Sequence, residues 1–165
     1  MADMAKKAVK KTNAMRALDT LGIDYEIFTY HCDGENFDGR LVADQVGLSY
    51  SMVFKTLVTS GDGGIFVCMI PVDCKLDLKA LAAAAGQKRL EMINVNNLTA
   101  LTGYLRGGCS PLAMKKDYPT FLDSSAAEHD KIAISAGVRG QQIFLATNDL
   151  IRAAGAVTGS FALPE

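Results

Sequence analysis

Two apolar runs joined by a glycine-dense spacer constrain this chain more than any other feature. Residues 52–58 alternate as a strand does, Ser60-Gly61-Asp62-Gly63-Gly64 follows, and residues 65–72 are apolar at every position. Glycine and aspartate supply the backbone conformations of a tight turn, so the spacing predicts an antiparallel β-hairpin over 52–72. Phe54 and Leu57 flank Lys55 in this segment. An amine held there is costly unless it meets an anion or a polar ligand. The plainer alternative is an edge-strand lysine facing water, a common guard against aggregation.

Around the hairpin the predicted elements are short. Thr12 caps a helix with Met15, Leu18 and Leu21 on one side and Gly22 as its stop. A strand at 25–30 ends beside Tyr30 and His31, where side chains reach pockets. Residues 33–39 read as a loop, with Phe37 either a lid over a small ligand or a plug for the core. One helix runs from Arg40 to a stop at Gly47, and another, capped by Asp77 and ended by Gly86, covers the sheet. A brief strand at 88–92 and a short helix at 95–101, capped by Asn94, lead into a glycine turn. A strand at 121–123, a pair at 132–135 and 142–145, a helix capped by Thr147 and an edge strand within 157–161 complete the series. Hairpins outnumber long crossovers, which predicts a mixed α/β, α+β-like domain with a curved sheet rather than a doubly wound parallel one.

With 165 residues, 49% hydrophobic and 21% charged, the chain suits a single domain over 12–165 behind a flexible basic leader at 1–11. No run reaches the length of a membrane span and no signal-peptide stretch is present, so a cytoplasmic protein with no membrane partner is expected. The formal charge of -1 excludes the global basic excess of an unselective nucleic-acid binder. Any RNA contact must come from a local patch such as Lys115 and Lys116, or through a partner. Cys32, Cys68, Cys74 and Cys109 contain no Cys-x-x-Cys pair and the two histidines lie far apart, so neither a metal nor another cofactor is expected.

The glycine turn is Thr102-Gly103-Tyr104-Leu105-Arg106-Gly107-Gly108-Cys109-Ser110-Pro111-Leu112. Paired glycines let a ligand approach the backbone, and such a turn points several N–H groups at one anion or polarised carbonyl. The alternative is an ordinary tight loop between strands. Cys109 lies inside the turn, but a catalytic thiolate needs a histidine or cation to lower its pKa, and nothing in the sequence brings His31 or His129 to it.

Taken together, Val53-Phe54-Lys55-Thr56-Leu57, Leu76-Asp77-Leu78-Lys79, the glycine turn, Lys115-Lys116 with Pro119-Thr120, and Ser135-Ala136-Gly137-Val138-Arg139-Gly140 resemble the YbaK/EbsC family. Its members are free-standing aminoacyl-tRNA deacylases related to the editing domain inserted in bacterial prolyl-tRNA synthetases. The resemblance covers nearly the whole chain in order and implies a strongly curved, barrel-like sheet wrapped by helices. It implies trans-editing, the hydrolysis of the ester joining a wrong amino acid to tRNA, most typically cysteine on proline tRNA, with prolyl-tRNA synthetase as a transient partner. In it Lys55, Gly107 and Gly108 stand at catalytic positions, and Tyr30, Phe37, Thr56, Cys109, Ser110, Ser135 and Gln142 stand around the substrate. There is one departure: close relatives carry an Asp where this chain has Gln142, which weakens charge-based recognition of the substrate amino group.

Ester hydrolysis passes through an oxyanion, and backbone donors around residues 107–110 would stabilise it by ~3 kcal/mol each in comparable sites. No Ser-His-Asp or Cys-His arrangement is visible in the sequence. Lys55 is therefore expected to hold the terminal phosphate or ribose, or to place charge near the ester, rather than to act as a nucleophile, and the family resemblance implies water or a substrate group such as the cysteine thiol as the attacker. Pocket size alone discriminates by roughly 1–3 kcal/mol per methylene, so a thiol-assisted step would explain a sharper choice. A second reading, from another class, is a non-catalytic module that binds tRNA or prolyl-tRNA synthetase, and Gln142 keeps it open.

Overall fold

A computed structural model of the chain describes residues 10–32 and 36–165. Residues 1–9 of the expected leader and 33–35 of the expected loop lie outside the described residues. Helix α1 (Asn13–Thr20) starts on Thr12, whose Oγ1 accepts a hydrogen bond from Met15 N at 3.2 Å, and it buries Ala14, Met15 and Leu18. Leu21, expected on that buried side, is instead the C-cap and is exposed, because the helical period ends one residue before it. Strand β1 (Tyr25–Thr29) and helix α2 (Gly39–Val46) follow, the helix capped by Asp38 and closed at Gly47.

The hairpin forms as its spacing predicts. Strands β2 (Phe54–Gly61) and β3 (Gly64–Pro71) pair antiparallel from Phe54 opposite Pro71 to Gly61 opposite Gly64. Then come β4 (Cys74–Leu76), α3 (Leu78–Ala84) on its Asp77 cap, β5 (Glu91–Met92), α4 (Leu98–Thr102) and β6 (Thr120–Asp123). Strands β7 (Lys131–Ser135) and β8 (Gln141–Ala146), helix α5 (Thr147–Ala154), and strands β9 (Val157–Gly159) and β10 (Ala162–Pro164) end the chain. Thr147 does not cap α5. It is the first helical residue, and its Oγ1 donates to the His129 carbonyl at 2.7 Å.

Among the described residues the strands form three sheets: β5-β2-β3-β6-β9, β1-β8-β7, and β10-β4. Strand β3 is central, which explains its unbroken apolar run, since both faces are covered. Phe66, Cys68 and Ile70 pack with Leu81, Leu90, Phe121 and Phe161, while Met69 packs with Leu18, Leu122, Ile132 and Leu150. Each such large side chain contributes about 1.5–3 kcal/mol by leaving water. Hairpins do not account for the whole topology: β2–β3 and β7–β8 are consecutive antiparallel pairs, but β6 lies parallel to β3, and β9 parallel to β6. Buried Asp123 fixes the last turn of the chain, its carboxylate accepting from Phe161 N at 2.7 Å, Ala162 N at 3.0 Å and Ser125 N at 3.1 Å.

The domain is mixed α/β, but its sheets do not close into a barrel. Strand β7 reaches the β2 side at a single parallel bridge, Val53 to Ala133, and β5 pairs with β2 only at Thr59 and Ser60. Between those points the edge of β2 around Thr56 has no strand hydrogen-bonded to it among the described residues. The Val58 carbonyl accepts from Ile93 N on that side, and main-chain groups two residues apart point the same way, so the N–H and C=O of Thr56 face the gap. No helix among the described residues is long and apolar enough to cross a membrane.

Candidate active site

The gap left by the incomplete closure is a cavity of about 510 Å3. Val42, Val53, Leu57, Ile93 and Leu98 make it largely apolar. Lys55 and Thr56 enter from the β2 edge, and Ser135 and Gln142, directly opposite each other on β7 and β8, enter from the facing sheet. Tyr30, just past β1, and Phe37, Gly107 and Cys109 complete the polar and aromatic part of the wall. Lys55 and the glycine turn, separate in sequence, thus share one cavity.

Two candidate residues lie off the wall. Ser110 is fully buried, with its Oγ accepting from Leu112 N at 3.2 Å. Gly108 is packed behind the turn, where an added Cβ would sit 3.0 Å from Arg139 N, and its own N–H donates to the Leu105 carbonyl at 2.9 Å. That bond corrects the expectation of Gly108 as an amide donor to substrate, because the donor is already committed. The amides of Gly107 and Cys109, both on the wall, donate to no acceptor among the described residues.

Gly107 is held to glycine by sterics. Its φ is +84°, and an added Cβ would lie 2.4 Å from Phe37 Cδ1, so the aromatic ring rests directly on the bare backbone. Tyr104 braces the turn from behind: its hydroxyl donates to the Leu112 carbonyl at 2.5 Å, and its ring fills the space over Gly137. Burial pushes the Tyr104 hydroxyl up to about 12, so it acts as a neutral donor.

Lys55 is neither a free surface amine nor a sealed one, its side chain being 30% exposed at the mouth. Its Nζ lies 3.8 Å from Glu165 Oε1, and the other oxygen of Glu165 lies 3.8 Å from Arg40, which pairs with Asp38 at 2.9 Å. Deeper in, Thr56 Oγ1 and Gln142 Oε1 are buried and have no hydrogen-bond partner among the described residues. An unmet buried acceptor costs roughly 1–3 kcal/mol, and a ligand donor relieves it. Ser135 Oγ accepts from Gly137 N at 3.2 Å, which leaves its proton available.

Cys109 is a thiol and not a thiolate, since burial pushes it up to about 12 against a smaller opposing bond from Thr102. Neither histidine lines the cavity; His129 Nε2 lies 3.1 Å from Ser51 Oγ, and the His31 amide is held by the Gln45 side chain at 2.8 Å. Among the described residues no group of three or more His, Cys, Asp and Glu side chains is placed to hold a metal ion. The cavity therefore offers one ammonium, free amides and unmet oxygens, a set suited to holding a polarised carbonyl with donors and acceptors around it.

Several wall and rim residues escaped the sequence reading. Ile93, Val95 and Leu98 contribute because the segment after β5 folds back over the β2 edge. Arg106 lines the mouth, and Arg139 Nε donates to its carbonyl at 2.7 Å. Both arginines stand inside glycine turns already marked in the sequence, which was the available signal.

Comparison with known proteins adds the family. The model of the aminoacyl-tRNA editing domain matches residues 40–153. EbsC of Enterococcus faecalis (strain ATCC 700802 / V583), named as a Cys-tRNA(Pro)/Cys-tRNA(Cys) deacylase, is 42% identical over 147 residues, covering 88% of this chain and 90% of that protein. The uncharacterized protein YwhH of Bacillus subtilis (strain 168) is 28% identical over 109 residues, 66% of this chain and 69% of its own length. A crystal structure described as that of a trans-editing enzyme for prolyl-tRNA synthetase superposes with a TM-score of 0.81 at 20% identity, covering 92% of this chain and 95% of that one, a likeness of fold alone. By the extent of the domain match and by its identity to EbsC, this chain belongs to the aminoacyl-tRNA editing domain family.

Proposed function

We propose that this chain is a trans-editing deacylase that hydrolyses the ester of a misacylated tRNA in the cytoplasm, with cysteine on proline tRNA as its substrate. One observation carries the reading: Lys55, the amides of Gly107 and Cys109, and the buried oxygens of Thr56 and Gln142, the last four without a partner among the described residues, converge on one cavity of about 510 Å3. The substrate named for EbsC agrees with it. Water attacks the ester carbon, the oxyanion forms against the amides, and collapse breaks the bond to the ribose oxygen, which takes up the proton the water gives up. If the thiol of a cysteinyl substrate attacks instead, the C–S bond replaces the C–O bond, the thiol proton goes to the ribose oxygen, and the cyclic thioester released is then opened by water. Lys55 holds the phosphate or ribose of the RNA end at the mouth, acting by position and charge. Thr56 and Gln142 accept hydrogen bonds from the amino acid, and neutral Gln142 reads an amino group by hydrogen bonding without charge pairing.

The test is deacylation of proline tRNA charged with cysteine, alanine or proline, with and without prolyl-tRNA synthetase. Cysteine is expected to be released fastest and proline spared. Stimulation by the synthetase would establish it as a transient partner. Binding without hydrolysis across the whole panel would replace this reading with that of a non-catalytic tRNA-binding module.

A second expectation concerns Cys109. Because its thiol is raised to about 12, it stays protonated at neutral pH and supplies no nucleophile. Cys109→Ala is expected to keep deacylation within about threefold of the parent, with no inflection lost from the pH–rate profile between about pH 6 and 9. Complete loss of turnover in a folded Cys109→Ala protein would return the thiol to the mechanism.

A further inference from the structure

Arg106, on the cavity wall, and Arg139, packed on the wall residue Phe37, are unexplained by the chemistry within the cavity. The guanidinium carbons of Arg139 and Arg106 lie 4.5 and 5.3 Å from the centroid of the Phe37 ring. The Arg139 Nε bond to the Arg106 carbonyl ties one arm to the other, and the ring that both approach is seated on Gly107. Elsewhere Arg40, Arg89 and Arg152 each pair with a carboxylate, and Arg16 donates to the Asn13 side-chain oxygen at 3.2 Å. Arg106 and Arg139 pair with none among the described residues, although an aromatic contact and a backbone bond hold them in place. A guanidinium packed on a ring still presents its N–H edge, and that planar fork matches the oxygens of a phosphate.

We propose that Arg106 and Arg139, held against Phe37, form a phosphodiester clamp that positions the 3′-terminal backbone of the RNA over the cavity. The proposal rests on the deacylase reading for its substrate. The two charges stand together on one rim, next to Gly107 on the wall, so an RNA backbone gripped there delivers its terminal ester to the same turn that holds the free amides. Arg106 and Arg139 are positioning residues in this account, and they act on the RNA before chemistry begins.

The experiment compares the parent with Arg106→Gln, Arg139→Lys and the double variant Arg106→Gln/Arg139→Gln. Two substrates are used, cysteinyl-tRNA and the cysteinyl ester of adenosine, which has no phosphate. The double variant is expected to raise KM for cysteinyl-tRNA by about tenfold or more with a smaller change in kcat. Its loss on the adenosine ester should be at least ten times smaller. The slope of log(kcat/KM) against log salt should fall by roughly 1.4, the share of two phosphate contacts on single-stranded RNA. Arg139→Lys keeps the charge and should retain part of the slope. Arg106→Gln, a change at an exposed side chain, serves as the check should the double variant fail to fold. Equal losses on both substrates, or an unchanged salt slope, would overturn the clamp. Binding of an uncharged RNA hairpin with a single-stranded 3′ tail, followed by fluorescence anisotropy, separates the two readings. If the parent hydrolyses neither ester, the deacylase reading fails, while a tenfold weaker, less salt-sensitive grip by the double variant still supports the clamp and an unchanged grip rejects it.

Discussion

Lys55→Ala is expected to lower kcat/KM for release of cysteine from proline tRNA by about 100-fold or more, with the melting temperature within a few degrees of the parent. The activity loss follows from the position of the amine, the one lysine on the cavity wall among the described residues, where orientation and transition-state charge are each worth two or more powers of ten. The stability cost is small because the ion pair with Glu165, at 3.8 Å between partly exposed groups, contributes only about 0–1 kcal/mol. The strand itself survives, since β2 is held to β3 along its whole length. Lys55→Arg should restore only part of the activity, because a planar fork cannot place its charge where a compact ammonium does. Circular dichroism and a melting curve beside the kinetics complete the test. Unchanged turnover in Lys55→Ala would remove the amine from the mechanism and leave the amides of Gly107 and Cys109 to account for catalysis alone.

What the sequence made legible was local. The β2–β3 hairpin is written in its alternation and its glycine-aspartate spacer, and the starts of α1 and α3 in Thr12 and Asp77, which cap them through contacts three residues away. The parallel placement of β6 and β9 and the pairing of β10 with β4 depend on segments far apart in the chain, and no short pattern announces them. Asp123 illustrates the limit: it reads as a polar residue ending a strand, yet it is buried and collects three amides, two of them from a segment nearly 40 residues later. The barrel expectation failed for a related reason. Closure is a property of strand edges, and only the structure reveals that β7 and β5 leave the middle of the β2 edge uncovered.

The site divides in the same way. Lys55 and the glycine turn stand out as motifs, but which amide is free does not, because the Gly108 donor is consumed by the Leu105 carbonyl within the turn. The sequence leaves Phe37 between lid and plug; in the fold it is a wall residue whose ring lies against two guanidiniums. The unmet oxygens of Thr56 and Gln142 become informative only once burial is known, since a threonine in a strand and a glutamine after a turn are otherwise ordinary.

Gly107→Ala is expected to carry the second large effect and to show that the turn acts through shape as well as through its amide. At φ +84° any L side chain is strained, by about 1–2 kcal/mol, which for a chain of this size lowers the melting temperature by roughly 2–8 °C. The added Cβ would also meet Phe37 Cδ1 at 2.4 Å, so the ring must leave its seat and take Arg106 and Arg139 with it. A displaced rim and a tilted Gly107 amide together are expected to lower kcat/KM by about 100-fold. A double-mutant cycle separates these causes. Phe37→Ala removes the clash but leaves the backbone strain, so Gly107→Ala/Phe37→Ala should be more stable than the sum of the single effects predicts, by about 1 kcal/mol. Strict additivity in stability would mean that the ring does not rest on the glycine, and parent-like kinetics in Gly107→Ala would mean that neither its amide nor its bare backbone is needed at the site.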